Sequence, residues 1–320
     1  MMNYSGLKSS SSTSDKTFLD KVVRRVLENF EPNLIFNQFG EAPISEVGAD
    51  NIVWAKFPAL TYSPAQAELI DGVTPNDVSF TAETISVQSK QYGMYVILTD
   101  KVKLKQLFNL SMIVSEILGD NMSRICDNVI QNEVTDNATN RVLAATTAGG
   151  TRAANRAAIG ATNIMFTYDI ACVATKLAAA NAPKFAAGAY GGILHPFVSH
   201  RIKTESGAGG WLQIKQYTTA GQDDIYKGEI GMIHGVRIME SANVKSYAST
   251  VTVYPSTFFG KRAYGVSELQ SMETIIHGFG SAGTADALNQ RMTIGVKKSF
   301  APKILNQASI VVFECAGAVV

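Results

Sequence analysis

Three glycines carry the most specific chemical pattern in the chain. Gly278, Gly280 and Gly283 spell G-x-G-x-x-G directly after the strand-like run METIIH. In a dinucleotide fold such glycines make the tight turn and let the backbone approach a pyrophosphate at a helix N-terminus. That fold also needs an acidic residue about 20 positions on, to hold a ribose hydroxyl. Lys303 stands at that offset, and only 37 residues follow Gly283. The pattern therefore reads as a glycine loop without a nucleotide, and no P-loop is present. The four histidines are His195, His200, His234 and His277. His195 and His200 are five apart, so they do not share a helical face, and there is no HExxH or obvious third carboxylate ligand. They read as ordinary hydrogen-bonded histidines. A G-x-S-x-G elbow is also missing. Cys126, Cys172 and Cys315 form no metal-ligand spacing and read as reduced, buried thiols of a protein assembled in cytoplasm. No catalytic, cofactor-binding or metal-ligating residue is expected, and the chain does not read as an enzyme.

Charge excludes another class. The 28 basic and 27 acidic side chains leave a formal net charge of +1. A dedicated nucleic-acid binder needs a basic excess to displace counterions. The one basic cluster, KVKLK at 101–105, reads as a solvated or interface patch at a strand-to-helix junction. Charged residues make up 17% of the chain, below the roughly 25% of an average soluble protein. Such a neutral surface fits one covered by partners. No run reaches the ~18 apolar residues of a membrane span. The N-terminus, MMNYSGLKSSSSTSDK, lacks an apolar signal region and reads as a flexible polar tail.

The elements around these residues follow from periodicity. Phe18, Leu19, Val22, Val23, Val26, Leu27 and Phe30 share one face of a helix over 17–30, with Lys21, Arg24, Arg25 and Glu28 opposite and Pro32 ending it. This helix fits either its own core or a neighbouring subunit. Segments 51–57 and 79–98 alternate as strands, joined by a long connection rich in turn residues. A connection that long is uncommon inside a compact domain, and a two-stranded ribbon is marginal alone, so this one must lean on something. The strongest helix follows. Leu110, Ile113, Val114, Ile117, Leu118, Met122, Ile125, Cys126, Val129, Ile130 and Val134 recur at three and four. Ser111, Glu116, Asp120, Arg124, Asp127, Asn128 and Gln131 fill its other side, and it makes a rod of roughly 35–45 Å. Next come a loop over 144–160 and an Ala-rich helix over 168–180. Further strands are expected at 190–194, 235–240, 249–254, 274–276, 292–296 and 309–313, with a short helix at 197–203 and a glycine loop at 207–210.

Five segments carry a resemblance. VLENFEPNLIFNQFGE (26–41), ELIDGVTP (68–75), KQYGMYVILTD (90–100), IYKGEIGMIHGVRIMES (225–241) and GSAGTADALNQRMTIGVKKSFAPKIL (280–305) occur in the order seen in a family of major capsid proteins of tailed double-stranded DNA bacteriophages. The chain departs from that pattern at Val296, where an aromatic is expected, and at Ala287, where a proline is expected. The resemblance implies an α+β chain with the tailed-phage capsid fold, shared with encapsulins. It divides the chain into an N-terminal arm (1–50), an extended β-hairpin loop reaching over an adjacent subunit (51–98), a peripheral domain with a spine helix (99–165), an axial domain (166–270), and peripheral closing strands with a loop (271–320). The function implied is self-assembly into pentamers and hexamers of an icosahedral head around the genome. That head belongs to a virion assembled in a bacterial host. Implied partners are other copies, a separate scaffolding protein, portal and decoration proteins, and packaged double-stranded DNA held non-specifically; no membrane is implied. With the first helix starting near Thr17, no cleaved scaffolding segment is expected ahead of it. Subunits of this fold can be cross-linked through a loop lysine and an asparagine. Lys56, Lys90, Asn289 and Asn306 are the residues available, and nothing in the sequence leads us to expect the reaction. The rival readings are an encapsulin-like compartment, a nucleotide-binding enzyme built on the glycine loop, and a tail or decoration protein.

Overall fold

The computed structural model describes residues 35–43, 51–57, 68, 71, 82–105, 110–185, 188–205, 229–281 and 286–317. The expected helix over 17–30, the connection between the two loop strands apart from residues 57, 68 and 71, and the glycine loop at 207–210 lie outside these residues.

The long amphipathic run forms one helix, and it organises the first half of the fold. Two strands of the loop come first, β1 (Asn51–Lys56) and β2 (Glu83–Gln88), then β3 (Lys90–Thr99), a short helix α1 (Asp100–Lys105) and the rod α2 (Leu110–Asp136). Leu118, Met122, Cys126, Ile130 and Val134, four apart along α2, are all buried. They pack on a three-stranded antiparallel sheet of β10 (Tyr264–His277), β11 (Arg291–Ile304) and β3, ordered β10-β11-β3. Alternation decides which side chains face the helix. From β3 these are Tyr92, Met94, Val96 and Leu98, and from β11 Met292, Ile294 and Val296. The buried seam of α2 is narrower than the sequence pattern: Ile113 and Ile117 are exposed, while Asp127 and Gln131 are buried. The chain before α2 explains Asp127, because its Oδ2 accepts the backbone N–H of Ile35 at 2.8 Å.

A second sheet lies beyond the C-terminal end of α2. Its strands are β4 (Arg141–Leu143), β5 (Tyr190–Leu194), β6 (Glu229–Ile233), β7 (Val236–Glu240), β8 (Tyr247–Ala248), β9 (Thr252–Phe259) and β12 (Ile310–Ala316). The order is β4-β12-β9-β5-β7-β6, with β8 paired to β9. Helices α3 (Thr167–Ala179) and α4 (Pro196–Thr204) cover one face. Consecutive residues split between the two faces, as a pleated strand requires. Phe258, Val311, Phe313, Leu194 and Ile238 pack among the α3 and α4 side chains, whereas Phe259, Ile310, Val312, Ile193 and Met239 join the core around α2. One continuous core thus ties this sheet to the rod. Strands β4 and β12, although distant in sequence from β5–β9, are hydrogen-bonded into this sheet.

Three departures from the sequence reading have physical causes. The expected single strand over 79–98 is two strands. β2 pairs with β1 over 51–56, β3 pairs with β11, and Val87 faces the loop base while Tyr92 faces α2. The strand expected at 249–254 runs to Phe259 instead, through Pro255, which sits in register with Glu314. A proline inside a run demotes its strand signal. The short strands expected at 274–276 and 292–296 belong to 14-residue strands, β10 and β11. Charged residues on the outer face and register shifts between Glu268 and Gln270 and between Gln270 and Glu273 broke the apolar pattern.

The base of the loop is anchored within the chain. Ile52 and Trp54 of β1 are buried with Ala301, and Val87 and Leu305 pack beside them. The indole N–H of Trp54 donates to the Glu41 carbonyl at 3.3 Å. Its ring lies over Gly265, where an added Cβ would sit 2.6 Å from Cε2. Gly265→Ala is therefore expected to push the indole off its seat and cost about 1–3 kcal/mol. Urea unfolding followed by tryptophan fluorescence measures this; an unchanged midpoint would show that the ring is not held there.

Candidate assembly surfaces

The residues singled out for chemistry are not brought together. His195 accepts the Phe197 N–H at 3.2 Å at the start of α4, and its ring stacks on Tyr254 at 4.3 Å. Burial holds its pKa below the usual value, against the smaller opposing pull of Glu240. His234, with φ 48°, and Gly235, with φ 74°, form the two-residue turn between β6 and β7, where both positions need positive φ. His277 ends β10, and His200 lies exposed on α4. Among the described residues no group of three or more His, Cys, Asp or Glu could hold a metal ion. Cys126 and Cys315 are buried, with burial pushing the Cys126 thiol up to about 12; Cys172, expected to be buried as well, is only half-buried.

The glycine loop has the wrong surroundings for a nucleotide. A dinucleotide turn leads from a strand into a helix. Here β10 is followed by its own antiparallel partner β11. Gly280, with φ 87°, takes a backbone conformation that favours glycine, and it lies against Asn289. Gly283 is outside the described residues. The cross-link residues are also scattered. Lys56 ends β1 and is 3.9 Å from Glu83, Lys90 opens β3, Asn289 sits in the β10–β11 connection, and Asn306 caps the 3-10 turn before β12 through the Ala308 N–H.

What the fold does build are uncovered surfaces on a rigid frame. The face of the three-stranded sheet away from α2 carries Gln91, Gly93, Tyr95 and Ile97 from β3, Thr293, Gly295 and Lys297 from β11, and Glu273, Ile275 and His277 from β10. The register aligns Ile275, Gly295 and Tyr95 in one row, and His277, Thr293 and Ile97 in the next. Tyr95 is 69% exposed and Ile97 46% exposed. Because Gly93 and Gly295 offer no side chain, a shallow depression of about 320 Å³ opens between Tyr95, Ile275 and Lys297. Lys297 and Glu273 pair at its edge, 3.1 Å apart. An apolar stripe on one face of a sheet whose other face is covered is a surface awaiting a partner. At one end of the same sheet, α1 displays Lys101, Lys103 and Lys105 with Val102 and Leu104 between them, and Leu104 is 84% exposed. The expected solvated or interface patch is thus amphipathic.

A polar network locks the rod to the second sheet and makes the frame rigid. Glu314 of β12 is buried and accepts from Arg141 at 2.5 Å and from Arg156 at 2.7 and 2.8 Å. The Arg156 guanidinium lies 3.6 Å from the centre of the Tyr247 ring. The Tyr247 hydroxyl donates to Asp136 at the end of α2, and Lys245 donates to the same carboxylate at 2.7 Å. Sequence reasoning passed over all six residues because they are far apart along the chain and belong to no motif.

Neither a protein-family model nor a curated protein sequence matches the chain. Solved structures do, over about nine-tenths of its length. The capsid of Ralstonia phage GP4 is 15% identical, with a TM-score of 0.68 over 90% of this chain and 92% of that one. The capsid asymmetric unit of cyanophage Pam1 is also 15% identical, with a TM-score of 0.60 over 91% and 92%. A virus-like particle from Pyrococcus furiosus is 12% identical, with a TM-score of 0.52 over 92% of this chain and 99% of that one. Sequence resemblance and superposition agree: the chain has the fold of tailed-phage major capsid proteins.

Proposed function

We propose that this chain is the major capsid protein of a tailed double-stranded DNA phage, a structural subunit with no catalytic role. It self-assembles into pentamers and hexamers of an icosahedral head. The observation that carries this reading is the match to phage capsids over about nine-tenths of both chains. Two features support it. The loop strands β1 and β2 are rooted by Trp54 in their own chain, and the sheet's outer face leaves Tyr95 and Ile97 uncovered. In the proposed capsomer the loop of one copy lies over the peripheral sheet of the next. The division in this reading is an arm over 1–50, a loop rooted on β1 and β2, a peripheral domain built on α2 and the three-stranded sheet, and an axial domain built on the seven-stranded sheet. A separate scaffolding protein, portal and decoration proteins and non-specifically held DNA complete the set of partners, and the location is the virion.

The second reading is a protein compartment, favoured by the virus-like particle, 99% of whose chain is covered by the match. The higher superposition scores of the phage capsids favour the head. Sedimentation of the purified chain, with and without scaffolding protein, is expected to give pentamers, hexamers or closed shells. A monomer at every protein and salt concentration would refute the proposal. The enzyme reading is tested by titrating ATP and NAD: no saturable binding is expected, and saturable binding lost in Gly280→Val would restore it.

A further inference from the structure

The first turn of α4 is held by a titratable side chain. Pro196 opens the helix and has no N–H, so the Phe197 N–H is the first that α4 must satisfy. Nδ1 of His195 accepts it at 3.2 Å, and the His195 carbonyl takes the next two, from Val198 at 2.9 Å and Ser199 at 3.1 Å. An imidazole nitrogen accepts only when it carries no proton, so this bond requires the neutral ring with its proton on Nε2. The ring is fixed in that pose. It stacks on Tyr254 of β9 at 4.3 Å, with 24° between the planes. Phe197 packs beside both, 5.0 Å from the imidazole and 6.1 Å from the Tyr254 ring. The chain just past β12 closes in behind: a Cβ added to Gly317 would lie 2.8 Å from Tyr254 Cε2 and 3.2 Å from Phe197 Cβ. The sheet beneath depends on α4, because Val198 and Ile202 are buried in one core with Phe258 and Phe313.

We propose that His195 is a pH-sensitive cap, which holds the first turn of α4 on the second sheet while neutral and releases it when protonated. An imidazolium has an N–H at both nitrogens, so no ring flip restores the acceptor, and the Phe197 N–H then faces another donor. The positive end of the helix also repels the charge. Burial acts in the same direction and holds the His195 pKa below its ordinary value of 6.5. Glu240 of β7 pulls the other way. Its carboxylate is already engaged from α4, by the Ser199 hydroxyl at 2.6 Å and the Lys203 ammonium at 2.9 Å. Of the other cations on α4, Arg201 lies over the Phe166 ring, 5.8 Å from its centre. A group with a depressed folded pKa contributes its stability above its unfolded pKa and loses it as pH falls through the folded value. The cap is therefore closed at about pH 7.5 and opens as pH falls below 6.5. The device lies within one chain and operates whether or not the chain forms a shell.

Two measurements on the full-length chain test this. The first is NMR with isotope-labelled histidine and phenylalanine, on subunits or on sedimented particles, with the His195 signal assigned by its loss in His195→Asn. The ring is expected to be the Nε2–H tautomer at about pH 7.5 and to titrate with a midpoint below 6.5. The Phe197 amide is expected to shift with the same midpoint. The second is thermal unfolding. Asparagine caps a helix well and has no charge to gain, so His195→Asn separates capping from titration. Its Tm relative to wild type is expected to rise by about 1–3 °C between about pH 7.5 and about pH 5. His200→Asn, which removes an exposed histidine from the same helix, is expected to keep a constant offset from wild type. A ring protonated on Nδ1 at about pH 7.5 would overturn the proposal. So would a Phe197 amide that does not move with the ring, or a gap between wild type and His195→Asn that is the same at both pH values.

Discussion

Replacing residues 62–81 with a short Gly-Ser turn is expected to abolish shell assembly and leave the subunit folded. The reason is where the buried side chains are. The loop root is fixed by Ile52, Trp54, Val87, Ala301 and Leu305. The described side chains of the core around α2 and of the core under α3 and α4 already form two continuous clusters from other parts of the chain. In the proposed capsomer the deletion removes contacts that repeat around its axis. Weak contacts repeated around a closed ring add, so losing one per subunit removes the whole set. Circular dichroism is expected to keep its native helical signal, and particles should be absent or fragile. A molten chain would instead make the loop part of a compact domain, and normal shells would show that the loop does not bridge subunits.

Glu314→Gln is expected to have the largest effect of any single substitution on the subunit's own stability. The carboxylate is 1% exposed, and it is the shared acceptor of Arg141 and Arg156. Removing one partner of a buried ion pair costs about 3–5 kcal/mol. Arg141 and Arg156 keep 30% and 36% of their side-chain surface in solvent, which places this case near the low end, about 3 kcal/mol. In a chain of this size that lowers Tm by about 4–5 °C. Burial is the largest influence on the Glu314 pKa and acts upward; Arg156 and then Arg141 outweigh it and hold the carboxyl below its ordinary value of 4.5. A group with a depressed folded pKa contributes stability above its unfolded pKa and loses it as pH falls through the folded value. Asp136 and Glu240 share that sign, while Asp169, raised by burial, has the opposite one. The Tm gap between wild type and Glu314→Gln is therefore expected to be full at pH 7 and to close as pH falls below about 4.5. A gap that stays constant with pH would show that the ion pairs do not stabilise this junction.

Most of the helical architecture was legible in the sequence, because its signal is local. The pattern from Leu110 to Val134 marks α2 within two residues of its end, and the short helix and strand around His195 lie close to their expected places. What could not be read there is long-range. Val87 and Tyr92 sit on one alternating stretch, and only their partners, Ile52 on β1 for one and Lys298 on β11 for the other, separate β2 from β3. The pairing of β4 with β12 links Arg141 to Val312 across most of the chain. The clamp on Glu314 needs Asp136, Arg141, Arg156, Lys245 and Tyr247 at once, and no spacing rule relates them. Val296, which departs from the family pattern, is buried against α2 in register with Met94.

Electron microscopy of the chain, expressed alone and with the proposed scaffolding protein, tests the central claim most directly. Closed particles with icosahedral symmetry are expected, built from five- and six-fold clusters in which density from each subunit's loop crosses the sheet face carrying Tyr95 and Ile97 of the next. Dispersed monomers, helical tubes, or shells in which that face is bare would contradict the account.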